Sequence, residues 1–206
     1  MQRRPELPGL GIEEIVAFLL AITVHELAHA VVAVKLGDPT PRLEGRLTLN
    51  PLKHLSLTGT LMLILAGIGW AKPVQVNPGY FRRPMRDMMW VSLAGPGMNL
   101  LTAVVLALLF RSTMDLFRDV PGSMWLIRFL AVAVTLNVLL AFFNLIPIPP
   151  LDGAKIITNF LPAGTAYRLK QIEPWGFLII LVLLQYGGLS NFLHWLTLTT
   201  VRRLIA

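Results

Sequence analysis

The sequence predicts an all-α, polytopic membrane protein with about five to six transmembrane helices and a small membrane-associated β segment. Three observations predict this fold class. The 206-residue chain is 55% hydrophobic and only 14% charged, whereas about a quarter of the residues of a soluble domain are charged. Several apolar runs approach the roughly 20 residues that a helix needs to cross about 30 Å of hydrocarbon. Two short loops alternate apolar and polar residues, as strands do.

The apolar runs give the predicted spans in chain order. The first, residues 15–34, is flanked by Glu13, Glu14 and Lys35. No small-residue cleavage site follows it, so we expect this span to stay in the mature protein. The remaining predicted spans are residues 55–70, 88–110, 125–146 and 175–190, followed by a short interfacial helix over residues 192–206.

The loops between these spans predict the β segment and the domain organisation. Leucine alternates with polar residues in residues 42–50, and valine alternates with polar residues in residues 73–80, so both segments are predicted as strands. No loop exceeds about 25 residues, which is too short for an inserted soluble domain. We therefore predict a single transmembrane domain over residues 1–206.

The charge pattern limits the partners of the chain. The net charge is +7 and there is no cysteine. The basic residues lie in short loops between apolar runs, where anionic headgroups attract them, so the pattern predicts contact with the lipid bilayer and argues against nucleic acid. Lysine and arginine are equally numerous on the two sides of the predicted spans, so they do not predict an orientation. Without cysteine, a metal would be held by His, Asp or Glu.

One motif in the first predicted span carries catalytic chemistry, His25-Glu26-Leu27-Ala28-His29. Residues four apart share a helix face, so the two histidines can bind one metal while Glu26 reaches a metal-bound water. This pattern would occur in roughly 0.2% of shuffled sequences of this composition. A charge at mid-span costs about 2.5 to 3.5 kcal/mol. We therefore interpret the motif as a zinc site rather than as two core histidines and a stray glutamate.

A catalytic zinc needs one more protein ligand, from another segment. Asp152 is the best candidate, because prolines at 147, 149 and 150 break the preceding span into irregular chain. Irregular backbone at membrane depth is tolerated only against protein or a water-filled cavity. The other candidates are His54, His194, Glu44 and Glu173.

Three motifs occur in the order of a known family: His25-Glu26-Leu27-Ala28-His29, Gly95-Pro96-Gly97-Met98-Asn99, and Asn144-Leu145-Ile146-Pro147 running to Leu151-Asp152-Gly153. Over roughly residues 10–160 the chain resembles the site-2 proteases, the zinc-dependent intramembrane peptidases of peptidase family M50. Residues 45–51 and 70–73 are similar to the compact branch of that family, which lacks PDZ and CBS domains. In the second motif, the glycines would permit close helix approach or form an ordinary packing seam, and Asn99 would hydrogen-bond between helices.

The resemblance implies a function and the residues that perform it. His25, His29 and Asp152 would bind Zn²⁺, Glu26 would be the general base toward a zinc-activated water, and Asn144 would hydrogen-bond the substrate backbone or the developing oxyanion. The resemblance further implies a catalytic core over about residues 10–160 of a multi-pass protein of the cell membrane. Its substrates would be transmembrane proteins, cut within or near their membrane segments.

Two other functions fit parts of the pattern. A CAAX-type membrane zincin takes its third ligand from a glutamate on a later helix, but Glu44 and Glu173, the glutamates downstream of the motif, both adjoin loops and prolines. A non-catalytic metal-binding membrane scaffold has no use for the base Glu26. For the protease, we hypothesise that residues 42–50 form a strand edge that pairs with an unwound substrate.

Overall fold

The computed structural model describes residues 11–59, 71–117, 120 and 122–206. In this part of the chain the regular structure is helical, with 3₁₀ turns at Pro51–Lys53 and Pro78–Tyr80. The α-helices are α1 (Ile12–Lys35), α2 (Thr40–Leu43), α3 (Pro84–Phe117), α4 (Met124–Asn144), α5 (Asp152–Thr158), α6 (Ala163–Gln171), α7 (Glu173–Tyr186) and α8 (Leu189–Ile205).

Three of these helices, α1, α3 and α4, are long and apolar enough to cross a membrane. They contain the predicted spans 15–34, 88–110 and, except for its last two residues, 125–146. Helices α7 and α8 pass the same test only as a pair, and they are bent by 77° relative to each other. The described residues thus hold three candidate spans, or four with the bent pair, and most of the predicted span 55–70 lies outside them. Large apolar side chains such as Leu101, Leu108 and Phe177 are exposed on α3 and α7, as expected of lipid-facing positions.

The core lies where α1, α3 and α4 pack together, with α8 against α4. It is built mainly from alanine and valine, which let helix backbones approach closely. Its buried members are Ala17, Ala103, Leu106, Ala107, Leu130, Ala133, Val134, Val138 and Val201. This close packing brings α1 and α3 near enough for polar side chains of the two helices to meet.

The predicted β segment is wrong for residues 42–50. Residues 42 and 43 end α2, and turns and bends follow, with Gly45 at a φ of +66°. The leucines of this segment do not cover a sheet face, since Leu43 is 82% and Leu49 is 69% exposed. The buried Arg46 side chain folds the segment back onto the backbone of Lys72 and Pro73. A strand edge is therefore absent here, and the substrate-pairing hypothesis that rested on it is withdrawn.

The second predicted strand, residues 73–80, does not form a paired strand. Residues 72–77 have no helix or strand structure and lead into the 3₁₀ turn Pro78–Tyr80, with Asn77 in an extended conformation. Among the described residues the only bridge of β type joins Leu55 to Ala71. The strand prediction for this segment is not confirmed, because alternation of side chains does not specify a neighbouring strand.

Candidate metal centre

The centre of the site is the face of α1 that packs against α3. His25 and His29 are buried on this face, one helical turn apart. The backbone of α3 passes them at Gly95, where an added Cβ would lie 2.5 Å from His29 Nε2 and 2.6 Å from His25 Cε1. Only a residue without a side chain fits such an approach, so Gly95 makes room for both imidazoles.

Each histidine is oriented through its Nδ1 atom. His25 Nδ1 lies 2.6 Å from Asn99 Oδ1, and His29 Nδ1 lies 2.7 Å from the carbonyl oxygen of Val91. Both partners are oxygen acceptors, so each Nδ1 carries a proton and donates it. In a neutral imidazole the Nε2 atom then has a free lone pair, which is the form that binds a metal.

Asn99 is itself fixed by two other elements. Its Nδ2 donates to the carbonyl oxygen of Ala21 at 3.0 Å and to Asn137 Oδ1 at 2.8 Å. Because both hydrogen bonds use the amide nitrogen, the oxygen of Asn99 is turned toward His25. Asn99 does hydrogen-bond between helices, as the sequence indicated, and it joins α1, α3 and α4 at the level of the site.

Asp152 completes a cluster of three ligand atoms. It is the first residue of α5 and is buried. Its Oδ2 lies 3.2 Å from His25 Nε2 and 3.1 Å from His29 Nε2, and the two Nε2 atoms are 3.0 Å apart. Three ligand atoms at about 2.0 to 2.1 Å from a tetrahedral zinc lie roughly 3.3 Å from one another. The triangle therefore has the size of one face of such a site.

The chemistry of this donor set also fits a cation. Two Nε2 lone pairs and a carboxylate oxygen converge, and in the tautomers fixed by Asn99 and Val91 none of the three can donate a proton to another. Such acceptors repel one another at about 3 Å unless a positive charge lies between them. His25, His29 and Asp152 could accordingly hold a zinc ion.

The second oxygen of Asp152 faces another charge. Oδ1 lies 3.6 Å from Lys155 Nζ, one turn further along α5. Burial raises the pKa of the Asp152 carboxyl, but neighbouring groups, among them the Lys155 ammonium, outweigh burial and hold this pKa below its usual range. The carboxyl group is therefore ionised, as a metal ligand must be.

The two predicted catalytic residues lie at the same cavity, whose volume is about 450 Å³. Glu26 is buried next to His25, and its Oε2 accepts a hydrogen bond from the Val74 backbone N–H at 2.9 Å. Asn144, the last residue of α4, lines the cavity. One of its amide hydrogens goes to the carbonyl oxygen of Leu140 at 2.9 Å, and the other is left for a ligand.

The other candidate ligands lie apart from the three-atom cluster. Glu173 lines the cavity at the start of α7, but the cluster of potential metal ligands in the described residues consists of His25, His29 and Asp152. Glu44 and His194 are exposed. His54 is fully buried in the loop before residue 55, where its Nε2 lies 2.9 Å from the carbonyl oxygen of Thr48.

Sequence reasoning missed three residues around Glu26. Arg46 and Asp38 are buried charges that hydrogen-bond to the backbone near Val74. The strand interpretation of residues 42–50 gave no sign that Arg46 is buried. The sequence after the first predicted span, which is flanked by Lys35, gave no sign that Asp38 is buried. Neither motif nor spacing signals a hydrogen bond from a backbone N–H, so Val74 could not be found this way.

Comparison with known proteins gives the family of the chain. A family model described as Peptidase family M50 matches residues 118–185. "Putative zinc metalloprotease YwhC" of Bacillus subtilis is 42% identical over 173 residues, which cover 82% of this chain and 78% of that protein. "Putative zinc metalloprotease Rip2" of Mycolicibacterium smegmatis is 37% identical over 89% of this chain and 70% of its own length. "Putative zinc metalloprotease MJ0611" of Methanocaldococcus jannaschii is 31% identical over 73% of each chain.

The chain belongs to peptidase family M50. In this M50 chain the segment matched by the family model contains Asn144 and Asp152, whereas the helical motif with His25, Glu26 and His29 precedes it. The three-dimensional cluster thus joins residues from inside and outside the matched segment. The resemblance drawn from the sequence motifs is confirmed at the level of the family. No solved structure matches the M50 chain.

Proposed function

We propose that this M50 chain is an intramembrane zinc metalloprotease, a multi-pass protein of the cell membrane that hydrolyses peptide bonds within or near transmembrane segments of membrane proteins. One observation carries the proposal. The ligand atoms of His25, His29 and Asp152 lie within 4.8 Å of one another, and two of these residues belong to a helix long and apolar enough to span a membrane. A peptidase site on such a helix faces substrates that are themselves in the bilayer.

The coarser part of this function, zinc-dependent proteolysis, rests on the family. The chain is a zinc metalloprotease, because it belongs to a peptidase family and its relatives from a bacillus, a mycobacterium and an archaeon are each named for this activity. The donor set supports the same metal, since two imidazoles and one carboxylate are a common protein ligand set of catalytic zinc.

Glu26 is proposed as the general base. A zinc ion held by His25, His29 and Asp152 would supply Lewis acidity toward the scissile carbonyl and make water a nucleophile near neutral pH. The carboxylate of Glu26 projects into the same cavity, and only its Oε2 is hydrogen-bonded to Val74. Its other oxygen can take a proton from water and pass it to the leaving amine.

Asn144 is proposed to bind the substrate. Asn144 lines the cavity in which the peptide bond would lie, and the hydrogen bond to Leu140 uses only one of its two amide hydrogens. A donor at this place can hold the substrate backbone or stabilise the oxyanion that develops during attack.

Cleavage of a reconstituted transmembrane substrate tests this function. The purified protein is placed in liposomes with a single-span peptide, and the products are mapped by mass spectrometry. We expect cuts within or next to the hydrophobic segment, loss of cleavage with a zinc chelator, and its return when zinc is restored. A soluble peptide without an apolar segment is the control substrate. Equal cleavage of both substrates would refute the intramembrane specificity, and metal binding without any cleavage would favour the non-catalytic scaffold.

A further inference from the structure

A segment without helix or sheet structure crosses the site beside the proposed base. Residues 72–77, which we name the strap, run between the isolated bridge at Ala71 and the 3₁₀ turn Pro78–Tyr80. At the middle of the strap, the Val74 N–H donates to Glu26 Oε2 at 2.9 Å. The strap itself forms no sheet with any described strand, so contacts other than a sheet ladder must hold this N–H in place.

The start of the strap is held by Arg46. This side chain is only 2% exposed, and its guanidinium donates to the carbonyl oxygens of Lys72 at 3.2 Å and Pro73 at 2.9 Å. It donates in addition to the carbonyl oxygen of Lys53, on the neighbouring loop. A planar guanidinium with several fixed donors suits this arrangement better than an ammonium group. Arg46 therefore fixes the two carbonyls that directly precede Val74.

The end of the strap is held by Asp38. Its carboxylate is fully buried and accepts hydrogen bonds from Asn77 N at 2.7 Å and from Thr40 N at 2.9 Å. Asp38 lies three residues after the end of α1, and its own N–H donates to the carbonyl oxygen of Ala33 in that helix at 3.0 Å. Through Asp38, helix α1, which also carries Glu26, therefore holds the far end of the strap.

Burial of these two charges calls for an explanation. A buried charge is costly unless it is hydrogen-bonded. Arg46 and Asp38 both make hydrogen bonds to backbone groups, and each has partners on the strap. The Glu44 carboxylate lies 3.7 Å from Arg46 Nε, but it is exposed and adds little. Unlike ordinary surface ions, these two charges make hydrogen bonds to opposite ends of one short segment.

We propose that Arg46 and Asp38 are positioning residues that hold the strap against Glu26. Through the strap, the Val74 N–H fixes one carboxylate oxygen and leaves the other free to move a proton. Glutamate has three rotatable bonds, so a single fixed hydrogen bond removes much of its freedom. A displacement of a catalytic group by about 1 Å costs on the order of 10²-fold in rate. This inference rests on the proposed role of Glu26 as the general base.

Steady-state cleavage of the transmembrane peptide provides the first test. Asp38→Asn and Arg46→Gln should each lower kcat by about 10- to 100-fold, with KM and the zinc content unchanged. Glu44→Gln is the matched control, because it removes only the exposed partner of Arg46, and it should keep the wild-type kcat. A higher KM with normal kcat in the strap variants would overturn the inference and assign the strap to substrate binding.

Val74 tests the hydrogen bond itself. Val74→Pro removes the N–H, whereas Val74→Ala keeps the N–H and shortens the side chain. The proline variant should have a kcat at least about tenfold below that of the alanine variant, as expected for one lost hydrogen bond to a charged group. Equal kcat values for the two variants would contradict the inference. Such a result would leave the proposed function intact as long as wild-type cleavage is lost in Glu26→Gln.

Hydrogen exchange gives a readout that does not depend on activity and applies even if Arg46→Gln folds poorly. The Val74 amide should exchange slowly in the wild-type protein and at least about tenfold faster in Glu26→Ala and Asp38→Asn. Thermal unfolding in detergent shows whether each variant is folded. Unchanged exchange at Val74 in a folded Asp38→Asn protein would show that the strap holds its place without Asp38 and would refute the proposal.

Discussion

Replacing Gly95 by alanine would place a methyl group at the point where α3 passes the two histidines. The new Cβ would lie 2.5 Å from His29 Nε2 and 2.6 Å from His25 Cε1. Ordinary contacts of such atoms are about 3.5 Å, so the imidazoles or the α3 backbone would have to move by about 1 Å. The conflict lies at a proposed ligand atom and cannot be relieved by a flexible side-chain end.

This displacement is large compared with what a metal site tolerates. Ligand distances in protein metal sites keep to within about 0.2 Å of their ideal values. Loss of a single outer partner of a ligand already costs about 10- to 100-fold in metal affinity. A shift that moves a ligand atom itself should cost more, so we expect Gly95→Ala to lower zinc affinity by more than about 100-fold.

Gly97→Ala is the matched control. It lies on the same helix, and a Cβ at Gly97 would meet no described atom within 4 Å. Both substitutions change helix propensity in the same direction by about 0.5 to 1 kcal/mol, so that contribution cancels. The assay is zinc per chain after dialysis against a series of zinc buffers. Equal zinc affinity in the two variants would refute the reasoning.

Three further predictions concern the residues around the cluster. Asp152→Ala, like His25→Ala and His29→Ala, should lower zinc per chain, because each removes one of three protein ligands. Glu173→Ala is the control and should keep its zinc. Full zinc content in Asp152→Ala would remove Asp152 from the site. Asn99→Ala should weaken zinc binding by about 10- to 100-fold, because it removes the oxygen that accepts the hydrogen bond from His25 Nδ1. Zinc affinity is measured by competition with a chelator, and an unchanged affinity would contradict this role of Asn99. Asn144→Ala should lower kcat on the order of 10²-fold while zinc is retained, and normal turnover would show that this amide does not act in the reaction.

The three long apolar helices and the shared face of His25 and His29 could be predicted from the sequence because local rules govern them. A run of about 20 apolar residues specifies a helix such as α1 or α4, and spacing by four residues places His25 and His29 on one face. The choice of Asp152 among five candidates used the break that three prolines impose on the chain. In the structure Asp152 Oδ2 lies within 3.2 Å of the Nε2 atoms of both histidines, and its role as a zinc ligand stays a prediction.

The environment of Glu26 could not be predicted because it depends on backbone groups brought together from distant parts of the chain. Alternation of leucine in residues 42–50 indicated a strand. In the structure Arg46 is buried and hydrogen-bonds to the strap, and the segment forms a turn instead. Alternation reports side-chain exposure and not hydrogen-bond partners. The same limit applies to Gly95 and Gly97, which look equivalent in sequence, since only the helix packing reveals that Gly95 alone faces the histidines.

We propose that a zinc site on α1 uses Glu26 to hydrolyse peptide bonds. The most direct test compares wild-type protein with Glu26→Gln in the same liposomes, measuring zinc per chain and the cleavage rate of the same transmembrane peptide. We expect about one zinc per chain in both proteins and a cleavage rate lower by several orders of magnitude in Glu26→Gln, because an amide cannot accept the proton. A cleavage rate near the wild-type value in zinc-loaded Glu26→Gln would contradict the claim.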